Sequence, residues 1–226
     1  MVQQRSVGFA LSAAMLLVVA ACSDSTNAGT GTVGVRLSNA SVAASVANAV
    51  AAVEGEAPLP EGSVKSVDLF IVRVDAKRQA PTDAEVVENT EESDAENNGW
   101  VTVAEPNALF DLLTLADDAN TLLGDAVVAA GSYKGFRLII DPAQSSLTLT
   151  DDTVIGGESI TGLKFPSAAK TGIKINLSGG PLQVEDGETS TLVVQFDVSR
   201  SFVMLGSTID QNGLLFKPVV HGTQQD

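Results

Sequence analysis

The chain has 226 residues, 44% of them hydrophobic and only 4% aromatic, so any core is built mostly from Val, Leu, Ile and Ala. Its formal net charge is −15, with 28 acidic residues against 13 basic ones scattered along the sequence. No basic run is present to neutralise phosphates, which excludes nucleic acid as a partner and argues against a body lying flat on anionic lipid.

Met1–Arg5 is a short polar start with one cationic side chain, and Val7 to Ala21 is apolar apart from Gly8 and Ser12. As a helix this run rises about 22 Å, short of the roughly 30 Å hydrocarbon core, which fits a signal-peptide core better than a stable span. The chain's only cysteine, Cys22, stands where the run ends. Small residues at Ala20 and Ala21 suit an ordinary secretory peptidase, but Val19-Ala20-Ala21-Cys22 looks like the lipobox of bacterial lipoproteins. In those proteins the thiol receives diacylglycerol, the cut falls between the positions of Ala21 and Cys22, and fatty-acyl chains such as palmitate hold the mature protein on the bilayer. Two or more chains anchor stably where one does not. Ser23, not Asp, follows the cysteine; the inner-membrane retention signal of well-studied Gram-negative lipoproteins looks like Asp at that position, so its absence points to the outer membrane.

Residues 22–31 are polar and rich in Gly, Ser, Thr and Asn, and read as a flexible tether. Thr32 to Leu37 alternates and opens the folded part as a strand. Ala40–Val53 is alanine-rich and reads as a short helix or ordered insertion, ended by Pro58 and Pro60. Val64–Val74 is a central strand, with Val67, Leu69 and Ile71 on one face. Residues 79–99 carry seven carboxylates (Asp83, Glu85, Glu88, Glu91, Glu92, Asp94 and Glu96) and form a long acidic loop. Trp100–Val103 resumes as a strand, so the loop joins neighbouring strands as an overgrown hairpin.

Leu109–Leu113 is apolar, while Leu122–Asp125 and Ala129–Tyr133 read as turn-rich connectors. Further strands follow at Lys134–Asp141, Leu147–Thr150, Gly162–Phe165, Gly172–Leu177, Leu182–Val184, Thr191–Val198 and Leu214–Val220. Many short strands with frequent turn signals predict one all-β domain over residues 32–222, an antiparallel Greek-key β-sandwich.

Catalytic signals are thin. A single histidine, His221, and a cysteine reserved for lipid leave no Cys/His pair and no zinc site of those ligands. No strained G-x-S-x-G turn precedes a helix, and Gly156-Gly157 and Gly179-Gly180 read as turns, not phosphate cradles. Calcium is the one conceivable cofactor, through the acidic loop, Asp117-Asp118 or Asp151-Asp152, although no D-x-D-x-D-G loop is present.

Taken in order, GTVGVRLSNA, VKSVDLFIVRVD, WVTV, LFDLLTL, LLGDAVVAAGSYKGFRLIID, LKFPSAAKTGIKI, VVQFDVSRSFV and LLFKPVV resemble the DUF4382 domain family of bacterial lipoproteins over most of residues 31–220. Ala129–Ile140 also looks like the strand-turn-strand of transthyretin-like sandwiches, in which a Tyr enters the sheet after a glycine turn. The resemblance implies a fold and an envelope location; it carries over no catalytic residue, cofactor or metal. The expected function is therefore a non-enzymatic binding or structural module, tethered to the cell envelope by acyl chains on Cys22 and meeting an envelope protein or glycan through the acidic loop and the turns near Asp151. The alternative from another class is a carboxylate-based hydrolase of envelope glycans, which needs two facing carboxyl groups in a cleft.

Overall fold

The computed structural model describes residues 29–39, 56–59, 62–79, 99–115, 121–157, 162–206 and 209–225. The signal segment, most of the tether, the alanine-rich piece at 40–53 and nearly all of the acidic loop lie outside the described residues. The first strands are β1 (Thr30–Asn39), β2 (Glu56–Pro58), β3 (Val64–Arg78), β4 (Trp100–Ala104), β5 (Ala108–Asp111) and β6 (Thr121–Ala129). Then come β7 (Gly131–Ile140), β8 (Ser146–Leu149), β9 (Val154–Gly156), β10 (Leu163–Lys164), β11 (Ile173–Ser178) and β12 (Leu182–Val184). The last are β13 (Thr189–Phe196), β14 (Phe202–Leu205), β15 (Leu214–Phe216) and β16 (Val220–Gln225). Among the described residues helix is confined to three single turns, α1 (Ala168–Thr171), α2 (Val198–Ser201) and α3 (Ile209–Asn212), and a 3-10 turn at Pro142–Gln144.

The fold is all-β and sandwich-like, as expected. One layer is built on β3, whose alternating Val67, Leu69 and Ile71 are buried. One edge of β3 pairs with β5 and then β4, the other with β8 and then β7. The overgrown hairpin is therefore real at its base, with Lys77 opposite Trp100 and Ala76 opposite Val101. The far edge of β7 takes β12 and the first half of β11. The second layer runs β6-β1-β13-β16-β11. Strand β11 belongs to both layers: Ile173–Ile175 pair with β7 and Asn176–Ser178 with β16. Between the layers, Val33, Val35 and Leu37 of β1 and Leu192, Val194 and Phe196 of β13 meet Phe136, Leu138 and Ile140 of β7 in one apolar core.

Pairing is mixed rather than wholly antiparallel. β1 with β13, β11 with β16, and β10 with β15 run parallel. Parallel neighbours need a crossover instead of a hairpin, and each of these pairs is separated by long stretches of chain that build other strands.

Three local expectations are corrected. Leu122–Asp125 and Ala129–Tyr133 are not connectors but lie in β6 and β7, which Ala130 alone separates as the chain crosses from one layer to the other. Gly131 starts β7 at φ 142, and a Cβ there would stand 2.9 Å from Nε of Arg78, so this glycine serves a close approach. Leu214–Val220 is two strands, β15 and β16, split at Lys217–Val219, where Pro218 lacks an N–H for a ladder. β15 joins a second, four-stranded sheet, β10-β15-β14-β2, in which the ring of Phe216 lies 5.2 Å from Phe165 and 5.0 Å from Phe202. Finally, β1 begins at Thr30 rather than Thr32. The Gly29 carbonyl accepts from Ala130 N–H at 2.7 Å, and Thr30 N–H donates to Asp186 Oδ1 at 2.9 Å. Tyr133 is buried as expected, its hydroxyl donating to the Ala129 carbonyl at 2.8 Å.

Candidate functional site

Ala21 and Cys22, the acidic carboxylates at 83–96 and Asp117-Asp118 lie outside the described residues. The other predicted positions are visible and occupied by local structure. Asp151 Oδ1 accepts from Thr153 N–H at 3.0 Å in the turn between β8 and β9, and those bonds with Thr153 lower its carboxyl below the usual 3.8. Asp152 sits at φ 66 and pairs with Lys65. His221 is exposed on β16, in register with Gln195 and Asn176. Gly179 and Gly180 form a turn as read, whereas Gly156 belongs to β9 and Gly157 bridges to Leu163.

Among the described residues no three His, Cys, Asp or Glu side chains come together as a metal cage. One carboxylate pair is aligned: Asp68 on β3 stands directly opposite Asp111 on β5. Both are committed, Asp111 Oδ1 accepting Val67 N–H at 3.1 Å and Leu113 N–H at 3.0 Å, and Asp68 accepting the Ser66 hydroxyl at 3.0 Å. Among the described residues the carboxyls that shift, Asp141, Asp151 and Asp197, all move down. The Gln144 side chain lowers Asp141, helped by the Ala143 N–H. At Asp197 burial opposes ionisation, but Ser199 and Arg200 outweigh it and lower the group.

The most organised polar surface is a sheet face that the sequence reading did not single out. Across four strands the register aligns Lys174 (β11), Arg137 (β7), Asp75 (β3) and Thr102 (β4) in one row. The next row holds Gly135, Lys77 and Trp100. Asp75 is 2% exposed and takes four hydrogen bonds. Its Oδ1 accepts Arg73 Nε at 3.0 Å and the Thr102 hydroxyl at 3.1 Å; its Oδ2 accepts Arg137 Nε and Nη2, both at 2.9 Å. The Arg137 guanidinium carbon also lies 4.3 Å from the Trp100 ring centre, and Lys77 Nζ lies 5.8 Å from it. The indole reaches over Lys77 to Gly135, where the missing side chain leaves it room. Alternation of Arg73, Asp75 and Lys77 was the available signal; only the register of β7, β4 and β11 turns it into a site.

The family whose description is a domain of unknown function, DUF4382, matches residues 30–218. The chain belongs to this family. The match opens at the first residue of β1 and includes every residue of the cationic face, so that face is part of the DUF4382 domain itself. No curated protein and no solved structure matches the chain.

Proposed function

We propose that this DUF4382 protein is a cell-envelope lipoprotein, fastened through acyl chains on Cys22, whose β-sandwich works as a non-enzymatic binding module. The observation that carries this reading is the junction Val19-Ala20-Ala21-Cys22, an apolar run of signal-peptide length ending in small residues before the only thiol. Ser23 in place of Asp favours the outer membrane of a Gram-negative envelope. No helix among the described residues is long and apolar enough to cross a membrane. Gly29 is already bonded into the sandwich, so at most about 25 Å of extended chain separates Cys22 from the folded body. A transthyretin-like topology is part of the proposal, supported by the burial of Tyr133 after its glycine corner.

Binding is favoured over glycan hydrolysis because the described residues bring no two facing carboxyls into a free pair: Asp68 and Asp111, opposite each other, are both held by local hydrogen bonds. Among the described residues the carboxyls of Asp141, Asp151 and Asp197 are lowered by hydrogen bonds, which does not suit them to the role of general acid. Mass spectrometry of the mature protein tests the anchor: a diacylglyceryl group on Cys22 is expected, and Cys22→Ser leaves an uncleaved precursor in the membrane fraction. An unmodified Cys22 thiol at the mature N-terminus would refute the reading.

A further inference from the structure

The geometry points to an acidic polysaccharide, a sugar chain carrying carboxylates, as the ligand of the outer face of β3, β4, β7 and β11, held by Arg73, Lys77, Arg137 and Lys174 around Trp100. The inference deepens the binding-module reading and rests on it. Arg73 and Arg137 bond the buried Asp75 carboxylate on this face, and Lys77 beside Trp100 and Lys174 opposite Arg137 flank them, in a chain whose net charge is −15. A polyanion is repelled by the net charge of the body, and this face is where cations are aligned in register to receive it. The cations are also pre-organised. Arg137 is fixed by two bonds to Asp75 and by the indole, so little side-chain entropy remains to be lost on binding. Arg73 gives only its Nε to Asp75 and is 38% exposed, and Lys174 is exposed in line with Arg137. Sheet geometry spaces such groups about 4.8 Å apart across strands and about 6.8 Å along them, a pitch on the scale of successive sugar rings.

A sugar chain fits the neighbours of the cations as well. Trp100 offers a flat apolar surface suited to the C–H face of a sugar ring, and Thr102 and the exposed Asn176 offer a hydroxyl and an amide for ring hydroxyls. A bilayer of anionic headgroups suits the surface less well. The chain enters β1 beside the exposed acidic turn Glu185–Glu188, where Asp186 bonds Thr30, and that turn would face the headgroups.

Trp100 is the only tryptophan, so indole fluorescence excited at the red edge, where Tyr133 does not absorb, reports on this face. Full-length protein in neutral detergent, titrated with polygalacturonate at low salt, is expected to show a saturable fluorescence change. Neutral dextran of the same length should give none. Raising salt fourfold should weaken binding by about tenfold, the response of a few released counterions. The double variant Lys77→Gln/Lys174→Gln should lose at least about tenfold in affinity with an unaltered melting temperature, while Lys65→Gln at the far end of β3 binds as wild type. No fluorescence change with polygalacturonate, or undiminished binding by the double variant, would overturn the proposal. Equal binding of poly-glutamate would overturn it in favour of an acidic peptide, and equal binding of phosphatidylglycerol vesicles in favour of a membrane. The mass of Cys22 in the same sample separates the two readings: polymer bound by a protein with a bare thiol removes the anchor and keeps the face, and a lipidated protein that ignores the polymer does the reverse.

Discussion

Single residues settle how the two layers turn corners. Gly172 follows α1 and begins the approach to β11 at φ 77 and ψ 168, a backbone region that is nearly exclusive to glycine. A Cβ there would meet the Leu138 carbonyl oxygen at 2.8 Å and Ile139 Cδ1 at 2.7 Å. The side chain of Ile139 can move, but the carbonyl belongs to a central strand and cannot. Gly187 offers a comparison: its φ is 74, yet nothing lies within 4 Å of a Cβ. Gly187→Ala should therefore cost only left-handed backbone strain, about 1 kcal/mol. Gly172→Ala should cost about 3 kcal/mol, strain and collision together. Urea unfolding of the two variants checks this; equal losses would show that the collision is relieved at no cost.

At the scale of elements, β3 organises both the fold and the cationic face, and its charged row is also structural. Asp75→Asn keeps the size of the side chain and removes the charge that two arginines share. Because the arginines are 38% and 23% exposed, water recovers part of the loss, and about 2 kcal/mol of destabilisation is expected rather than the larger figure for a fully buried triad. The urea midpoint should fall with an unchanged slope; a variant as stable as wild type would show that the row contributes nothing to folding. Strands such as β3, β7 and β13 are legible in the sequence because period-two burial on one face leaves a strong alternation of apolar residues. β6 is less so: it sits at the edge of its layer, with exposed Leu122 and Val127, and Gly124 gives it the look of a turn. The small sheet is missed at β2 and β14 because three- and four-residue strands carry too little periodicity, and Pro218 only becomes a boundary once β15 and β16 are seen to join different sheets. The site was illegible for a related reason. Its residues come from four strands spread over about a hundred positions, and register, which decides which side chains meet, is set by bulges at Ile71–Arg73, Val74–Asp75 and Lys77–Arg78.

Over the whole molecule, two opposing electrostatic effects set the response to acid. The net charge of −15 makes the folded state repel itself near neutral pH, so mild acidification relieves strain. Against this stand Asp141, Asp151 and Asp197, which cap or brace three separate junctions and whose carboxyls are all lowered below 3.8 by their hydrogen bonds. A group with a lowered folded pKa contributes fully above its unfolded pKa, and the contribution is lost as pH falls through the folded value. The melting temperature should thus hold or rise from pH 7 to about 5 and fall below about 4. Asp197 is the most telling of the three. It is 6% exposed, caps α2 through Arg200 N–H at 3.2 Å, and holds Arg200 Nε at 2.6 Å and the Ser199 hydroxyl at 2.7 Å. Asp197→Asn should cost about 1–2 kcal/mol at pH 7, the usual worth of a cap with a charge-assisted partner. As pH falls through the lowered value of the wild-type carboxyl and it gains its proton, the gap between the two proteins should narrow. Thermal melts of both from pH 7 down into acid decide the point: a gap that stays constant until both proteins unfold would mean that the charge on Asp197 adds nothing to folding.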